Sequence, residues 1–205
     1  MKLHPKSNSQ AGQESFVLEM TGNKKNGVYV EIGAYHSSVD SNTFILETEF
    51  DWTGISLELN KKRCDEFNSK RKNKCINADA INFNYKEFFK ENNFPTTFDY
   101  LQLDIEPAVN TFRALIKFPF RRYKPFVITF EHDKYANELN WIIQIASYLF
   151  LSTHNYKRIK ANVTPLAKGL EKNSFEDWYI KRKLIKYKFG ETQTTTRLSL
   201  IWINV

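Results

Sequence analysis

The chain of 205 residues is poor in cysteine, glycine and long apolar runs, and each shortage removes a class of protein. Cys64 and Cys75 are the only two cysteines, with neither CxxC spacing nor a histidine partner in sequence, so they read as reduced packing residues rather than a disulfide or zinc ligands. No stretch approaches the roughly 20 apolar residues of a membrane span, and the start Met1-Lys2-Leu3-His4-Pro5-Lys6 lacks the apolar stretch of a secretory signal. A cytoplasmic protein is the expectation. Seven glycines are few, and after the first strand Gly33-Ala34-Tyr35-His36-Ser37-Ser38 supplies only the first glycine of the Gly-x-Gly-x-x-Gly phosphate loop. That shortage argues against an NAD-linked oxidoreductase. There is no internal repeat and no low-complexity segment.

Positive charge, by contrast, is in excess. A formal net charge of +7 invites a nucleic-acid reading, with basic clusters at Lys61-Lys62-Arg63, Lys70-Arg71-Lys72, Arg121-Arg122 and Lys181-Arg182-Lys183. Each cluster falls beside a loop or on an amphipathic helix, the ordinary pattern of a solvated face, so nucleic acid is the lesser reading.

The organising stretch is Val28-Tyr29-Val30-Glu31-Ile32-Gly33, a β-branched run that fits a buried parallel strand, closed by a glycine. Ser41, Asn42 and Thr43 are good helix N-caps, and Glu47 suits the first turns of the helix they announce. Strand, glycine turn and helix form the first unit of a doubly wound α/β fold, whose ligands bind at the carboxyl ends of the strands.

The alternation then repeats. Strands are predicted over 55–60, 74–79, 98–107 and 125–133, with helices over 61–72, 85–92, 110–118 and 140–150, after a short helix over 14–20. Residues 161–164 are expected as a sixth strand and 175–180 as a seventh or a closing segment. The five main strands end in Glu31, Glu58, Asp79, Asp104 and Glu131, which a parallel sheet would set along one edge.

Acids in that position repel a polyphosphate and suit a ligand bearing hydroxyls and positive charge. S-adenosylmethionine, with a sulfonium, an ammonium, a ribose diol and an adenine, matches Glu31, Glu58 and Asp79 better than a dinucleotide does. Glu58 also follows Gly33 at about the spacing at which nucleotide-binding α/β units place a ribose-binding carboxylate.

The sequence resembles the FkbM-type S-adenosylmethionine-dependent methyltransferases. The likeness is carried by Ser9-Gln10-Ala11-Gly12-Gln13-Glu14, Val30-Glu31-Ile32-Gly33-Ala34-Tyr35, Ser41-Asn42-Thr43, Leu46-Glu47 and Trp52-Thr53-Gly54-Ile55. It continues in Tyr100-Leu101-Gln102-Leu103-Asp104-Ile105-Glu106, Ile128-Thr129-Phe130-Glu131-His132-Asp133 and Phe175-Glu176-Asp177-Trp178.

The resemblance implies a mostly parallel seven-stranded class I methyltransferase sheet and methylation of hydroxyls on sugars, polysaccharides or related metabolites. It implies cofactor contacts from Glu31, Gly33, Tyr35 and Ser37 near the methionine end, Glu58 at the ribose and Asp79 and Ala80 at the adenine, with Asp104 facing methyl transfer. His36-Ser37 stands where the family usually has Asp-Gly, and Glu106-Pro107 where it usually has Glu-Gly.

The ends of the fourth and fifth strands should bring Asp104, Glu106, Glu131, His132 and Asp133 together. His132 is the candidate general base beside Asp104 and Glu131, since histidine titrates near neutrality, and the plainer alternative is that it caps the strand through a hydrogen bond. A magnesium ion on Asp104, Glu131 and Asp133 is the alternative device for activating a hydroxyl. The expected methyltransferase domain covers 1–180, and 181–205 form a basic tail or an extra edge strand. The rival reading is a protein that keeps the fold without the chemistry and binds an acidic partner or nucleic acid.

Overall fold

The computed structural model describes residues 1–182. The helix α1 (Gln13–Thr21) precedes β1 (Val28–Ile32), and strands and helices then alternate through α2 (Phe44–Phe50), β2 (Thr53–Glu58), α3 (Lys61–Lys70) and β3 (Lys74–Asn77). The alternation continues with α4 (Tyr85–Glu91), β4 (Thr97–Leu103), α5 (Ala108–Lys117), β5 (Lys124–Glu131) and α6 (Asn140–Thr153), before β6 (Tyr156–Val163) and β7 (Glu176–Lys181).

The seven strands form one sheet in the order β3-β2-β1-β4-β5-β7-β6, parallel except at β7, which runs antiparallel to both of its neighbours. The chain starts in the middle of the sheet, winds outward to β3, then returns to the other side of β1 as β4. That reversal creates a crevice between the carboxyl ends of β1 and β4, the usual ligand position in such sheets. The register keeps those ends level: Ile32 lies opposite both Leu57 and Leu103, and Leu103 opposite Phe130.

Each face of the sheet carries its own core. Val30, Ile32, Leu101, Leu103, Ile128 and Phe130 pack against aromatic residues from the α4 and α5 side, among them Phe89, Phe118 and Tyr123. On the opposite face Tyr29, Tyr100, Val127 and Trp178 meet Phe16 and Val17 of α1 and Ile45 and Leu46 of α2. The Phe16 and Trp178 rings stack with centroids 4.5 Å apart. Burying a side chain of that size contributes about 1.5–3 kcal/mol, so aromatic content supplies what a chain modest in aliphatic residues needs for stability.

Two boundaries differ from the sequence expectation. The sixth strand begins at Tyr156 rather than residue 161, because Tyr156, Lys157 and Arg158 pair along β7 as well, with Arg158 Nη1 donating to Asp177 at 2.9 Å. Lys181, assigned by composition to the basic tail, is the last residue of β7. The rest of the expected tail, residues 183–205, lies outside the described residues. Among the described residues no helix is long and apolar enough to cross a membrane. Cys64 and Cys75 are both free thiols in a small apolar cluster with Ala34 and Phe67.

Candidate functional site

A cavity of about 650 Å³ opens at the carboxyl edge of the parallel strands. Its walls follow the sheet order: Ala78, Asp79 and Ala80 after β3, Leu57 and Glu58 on β2, Gly33 and Tyr35 after β1, Asp104 and Glu106 after β4, and Glu131 at the end of β5. One crevice thus gathers seven of the residues singled out from sequence, namely Gly33, Tyr35, Glu58, Asp79, Ala80, Asp104 and Glu131.

The turn after β1 can exist only with glycine at its apex. Gly33 has φ +91°, and a Cβ placed there would stand 1.7 Å from the carbonyl oxygen of Asp104. Tyr35 also takes a left-handed backbone, at φ +40°, which costs a residue with a side chain of order 1–3 kcal/mol. Its N–H donates to Glu58 Oε2 at 3.0 Å, which anchors the loop to β2. Glu58 Oε1 accepts the Asn60 N–H at 2.7 Å, so the carboxylate is fixed in orientation while keeping lone pairs for a ligand. Asp79 is held in the same manner by the Ile81 N–H and the Asn82 side-chain amide, at 2.9 and 2.7 Å. Arg63, another cavity residue, lies 3.7 Å over the Tyr35 ring.

Asp104 is set apart from these by its electrostatics. Burial pushes its carboxyl up to about 7, with further repulsion from Asp133, Glu106 and Glu31. Neighbouring polar atoms are left without partners: Glu131 Oε2 and Asn42 Oδ1 are buried and accept no hydrogen bond, although both residues line the cavity. Buried acceptors of that kind call for donors from a ligand or from water.

Four expected site residues are not brought to the cavity wall. Glu31 points to the Tyr29 face of the sheet rather than along its edge, because side chains alternate along β1. There Ser56 Oγ and Thr43 Oγ1 donate to its carboxylate at 2.6 and 3.0 Å, and burial pushes its pKa up against the pull of Arg71 and these bonds. Ser37 is buried, its carbonyl oxygen accepting from Arg71 Nη1 at 2.8 Å. His132 is fully buried, with the Lys134 N–H donating to Nδ1 at 3.2 Å and Nε2 facing Asp177 Oδ1 at 3.4 Å. Both ring nitrogens therefore face partners within the fold rather than the cavity. Asp133, adjoining it, lies outside the lining as well. Nor do Asp104, Glu131 and Asp133 form a metal centre: among the described residues no group of three or more His, Cys, Asp or Glu side chains is arranged to hold an ion.

Arg71 is the residue that sequence reasoning missed. Its lysine neighbours place it in a solvated basic cluster, yet it is only 7% exposed. From the end of α3 its guanidinium donates to Glu47, to the Ser37 carbonyl oxygen and to Thr43 Oγ1, tying the 34–43 loop to α2. Nothing in the spacing of Lys70-Arg71-Lys72 distinguishes it. Gln10, Asn42 and Asn110, which complete the cavity wall, carry no chemical signature either.

The described fold matches solved structures of methyltransferases. An O-methyltransferase from Bacillus cereus in complex with S-adenosylhomocysteine is similar with a TM-score of 0.58 at 16% identity, over 87% of this chain and 84% of that one. The N-methyltransferase NodS from Bradyrhizobium japonicum WM9 gives 0.52 at 10% identity, over 82% and 94%. A precorrin-6y C5,15-methyltransferase from Geobacter metallireducens gives 0.51 at 16%, over 82% and 87%. This is the class I methyltransferase fold. Identities this low establish architecture alone, and the named relatives act on different kinds of acceptor. No protein-family model and no curated protein matches the chain.

Proposed function

We propose that the protein is an S-adenosylmethionine-dependent methyltransferase that methylates a hydroxyl of a sugar, polysaccharide or related metabolite. The observation that carries the reading is the crevice in which carboxylates from successive strands, Asp79, Glu58, Asp104 and Glu131, meet beside the glycine turn at Gly33. The motif resemblance to FkbM-type enzymes supports the choice of a hydroxyl acceptor, and the cofactor bound in the Bacillus cereus relative supports the choice of ligand.

The residues present fit that cofactor. Glu58, oriented by two backbone N–H groups, would accept the ribose hydroxyls, and Asp79 with Ala80 would hold the adenine. Gly33 lets the chain pass without a Cβ beside the methionine part, where the unpartnered Asn42 Oδ1 accepts a donor. The bound cofactor supplies an electrophilic methyl group on a sulfonium.

Asp104 is the group placed to act as base. A carboxyl near pH 7 is ionised in a substantial fraction of molecules at neutrality and is a far stronger proton acceptor than an ordinary aspartate. It takes the acceptor proton on a carboxylate oxygen as the hydroxyl oxygen gains the methyl group, while Glu131 orients the acceptor. His132 and Glu31 act one layer back, His132 by fixing the chain after β5 and Glu31 by joining β1 to β2 and α2. Residues 1–180 are proposed as the methyltransferase domain.

The test is formation of S-adenosylhomocysteine from S-adenosylmethionine across a panel of hydroxylated acceptors. Wild type should turn over with at least one of them and Asp104→Asn should not, with cofactor affinity retained. Equal turnover in Asp104→Asn would remove Asp104 as the base.

A further inference from the structure

The polarity of α6 is inverted. Its 14 residues include no charged side chain, and those it buries are Gln144, Ser147 and Leu151. Gln144 Nε2 donates to Asp177 Oδ1 at 2.9 Å, so the inner face is tied to β7 by a polar contact. On the outer face Trp141, Ile142, Ile145 and Leu149, spaced at i, i+1, i+4 and i+8, stand 46–56% exposed. Covering the sheet would favour the opposite arrangement, because burial of apolar surface is what holds a helix against a core. The neighbouring helix extends the apolar face. Helices α5 and α6 pack against each other, and Asn110 of α5 lines the cavity, which puts Val109 and Ile116 on the other flank, towards α6. Both of these are exposed.

Around this face the charge is of one sign. The stretches 107–130 and 139–170, which contain both helices, hold nine lysines and arginines and not one aspartate or glutamate. Nine exceeds the net charge of +7 for the whole chain, so the excess is concentrated here. Arg113 and Lys117 are exposed on α5 beside Ile116, Arg121 and Arg122 follow its end, and the Arg158 guanidinium lies 4.3 Å over the Tyr148 ring of α6.

We infer that the α5–α6 face docks on an anionic lipid surface, with Trp141, Ile142, Ile145 and Leu149 entering the headgroup layer and the surrounding arginines and lysines resting on acidic headgroups. Aliphatic side chains ringed by basic ones, with Trp and Tyr among them, are the composition that lies in a bilayer interface. At 14 residues α6 is too short to span a membrane and lies along its surface instead. Charge decides against a second copy of the chain. A two-fold contact sets one patch against itself, and here it would press two basic, acid-free surfaces together. Nucleic acid suits the rim but not the centre, where the outward side chains offer almost no hydrogen-bonding group. The inference does not depend on the methyltransferase reading. It bears on the cavity in one respect: Asn110, in the first turn of α5, lines that cavity, so docking through this face keeps the crevice close to the headgroups.

The experiment sediments the full chain with vesicles of phosphatidylcholine alone or with about 30% phosphatidylserine, enough to give the surface a negative potential. The protein should partition onto the serine-containing vesicles at least about ten-fold more strongly, and the binding should weaken as salt is raised. Ile145→Ser with Leu149→Ser should reduce that partitioning about ten-fold or more, and Arg113→Gln with Lys117→Gln should reduce both the partitioning and its salt dependence. All four positions are exposed, so the urea midpoints of both double variants should match wild type. Absence of binding to either vesicle, equal binding to both, or binding unchanged in the Ile145–Leu149 variant would each overturn the inference. A wild-type dimer that ignores vesicles and dissociates in that variant would give the face to a second copy, and a monomer that ignores vesicles but binds polyglutamate would give it to an acidic protein.

Discussion

Arg71 Nη2 and Glu47 Oε2 lie 2.9 Å apart with their side chains 1% and 4% exposed, an ion pair closed off from solvent. The pair joins the end of α3 to α2, and the same guanidinium holds the Ser37 carbonyl oxygen and Thr43 Oγ1. Thr43 in turn donates to Glu31, so the loop after β1 is braced from behind.

Removing one partner of such a pair leaves a buried charge alone. Arg71→Met should therefore cost about 3–5 kcal/mol of folding stability, measured by urea unfolding. Lysine should rescue little of it, because a single ammonium cannot donate in the planar fork that reaches Glu47, Ser37 and Thr43 at once. A loss below about 1 kcal/mol, the range of surface ion pairs, would show that the loop is held by other contacts.

Glu58 should matter to cofactor affinity more than any other side chain of the cavity. Glu58→Ala removes two charge-assisted bonds to the ribose, at about 1.5–3 kcal/mol each, and frees the Tyr35 N–H that it now anchors. Calorimetry with S-adenosylhomocysteine should show a loss of at least about a hundred-fold. Asp79→Ala should lose less, since adenine binding also draws on stacking and backbone contacts. The reverse ranking would exchange the roles of the two acids.

The pH profile tests Asp104. Its carboxyl, raised to about 7 by burial and by nearby acids, is neutral and unable to accept a proton below that value. Turnover at saturating cofactor should rise as pH increases through about 7 and level off above it. A rate flat between pH 5.5 and 8.5, on the order of three units around the midpoint, would assign proton removal elsewhere.

Glu176 gives a stability prediction of defined sign. It is 1% exposed at the start of β7, where Trp178 Nε1 donates to it, and burial pushes its carboxyl up to about 8. The folded state then keeps a proton that the unfolded chain has lost above its ordinary value, so the contribution is full at low pH and falls as pH rises towards 8. The slope for one such proton is about 1.4 kcal/mol per pH unit. Glu176→Gln should flatten that decline in urea midpoints measured from pH 5 to 8. An unchanged slope would mean that Glu176 is ionised in the folded protein.

Much of this architecture was legible because β1, β2, β4 and β5 are largely apolar runs with an acid at or beside the carboxyl end, each followed by a helix. Period and punctuation alone placed Glu58, Asp104 and Glu131 at or just beyond the strand ends. The orientation of Glu31 was not legible, because it falls one residue before the end of β1 and alternation turns it beneath α2, a parity fixed only by the tertiary register. The surroundings of His132 were hidden for a related reason. Its neighbours in sequence are acids, but the partner that faces its Nε2 is Asp177, on a strand added from the far end of the chain. Arg71 could not be read from composition, since a buried arginine and an exposed one look alike between two lysines.

The central claim is that one S-adenosylmethionine binds at the carboxyl edge of the sheet. Titrating S-adenosylmethionine into the protein by calorimetry tests it most directly. The account predicts saturable binding with about one site per chain, strongly weakened in Glu58→Ala and abolished in Gly33→Val, whose branched side chain would collide with the Asp104 carbonyl. Absence of saturable binding by the folded wild-type protein at millimolar cofactor, on the order of the weakest functional affinities, would contradict it and leave a methyltransferase fold put to another use.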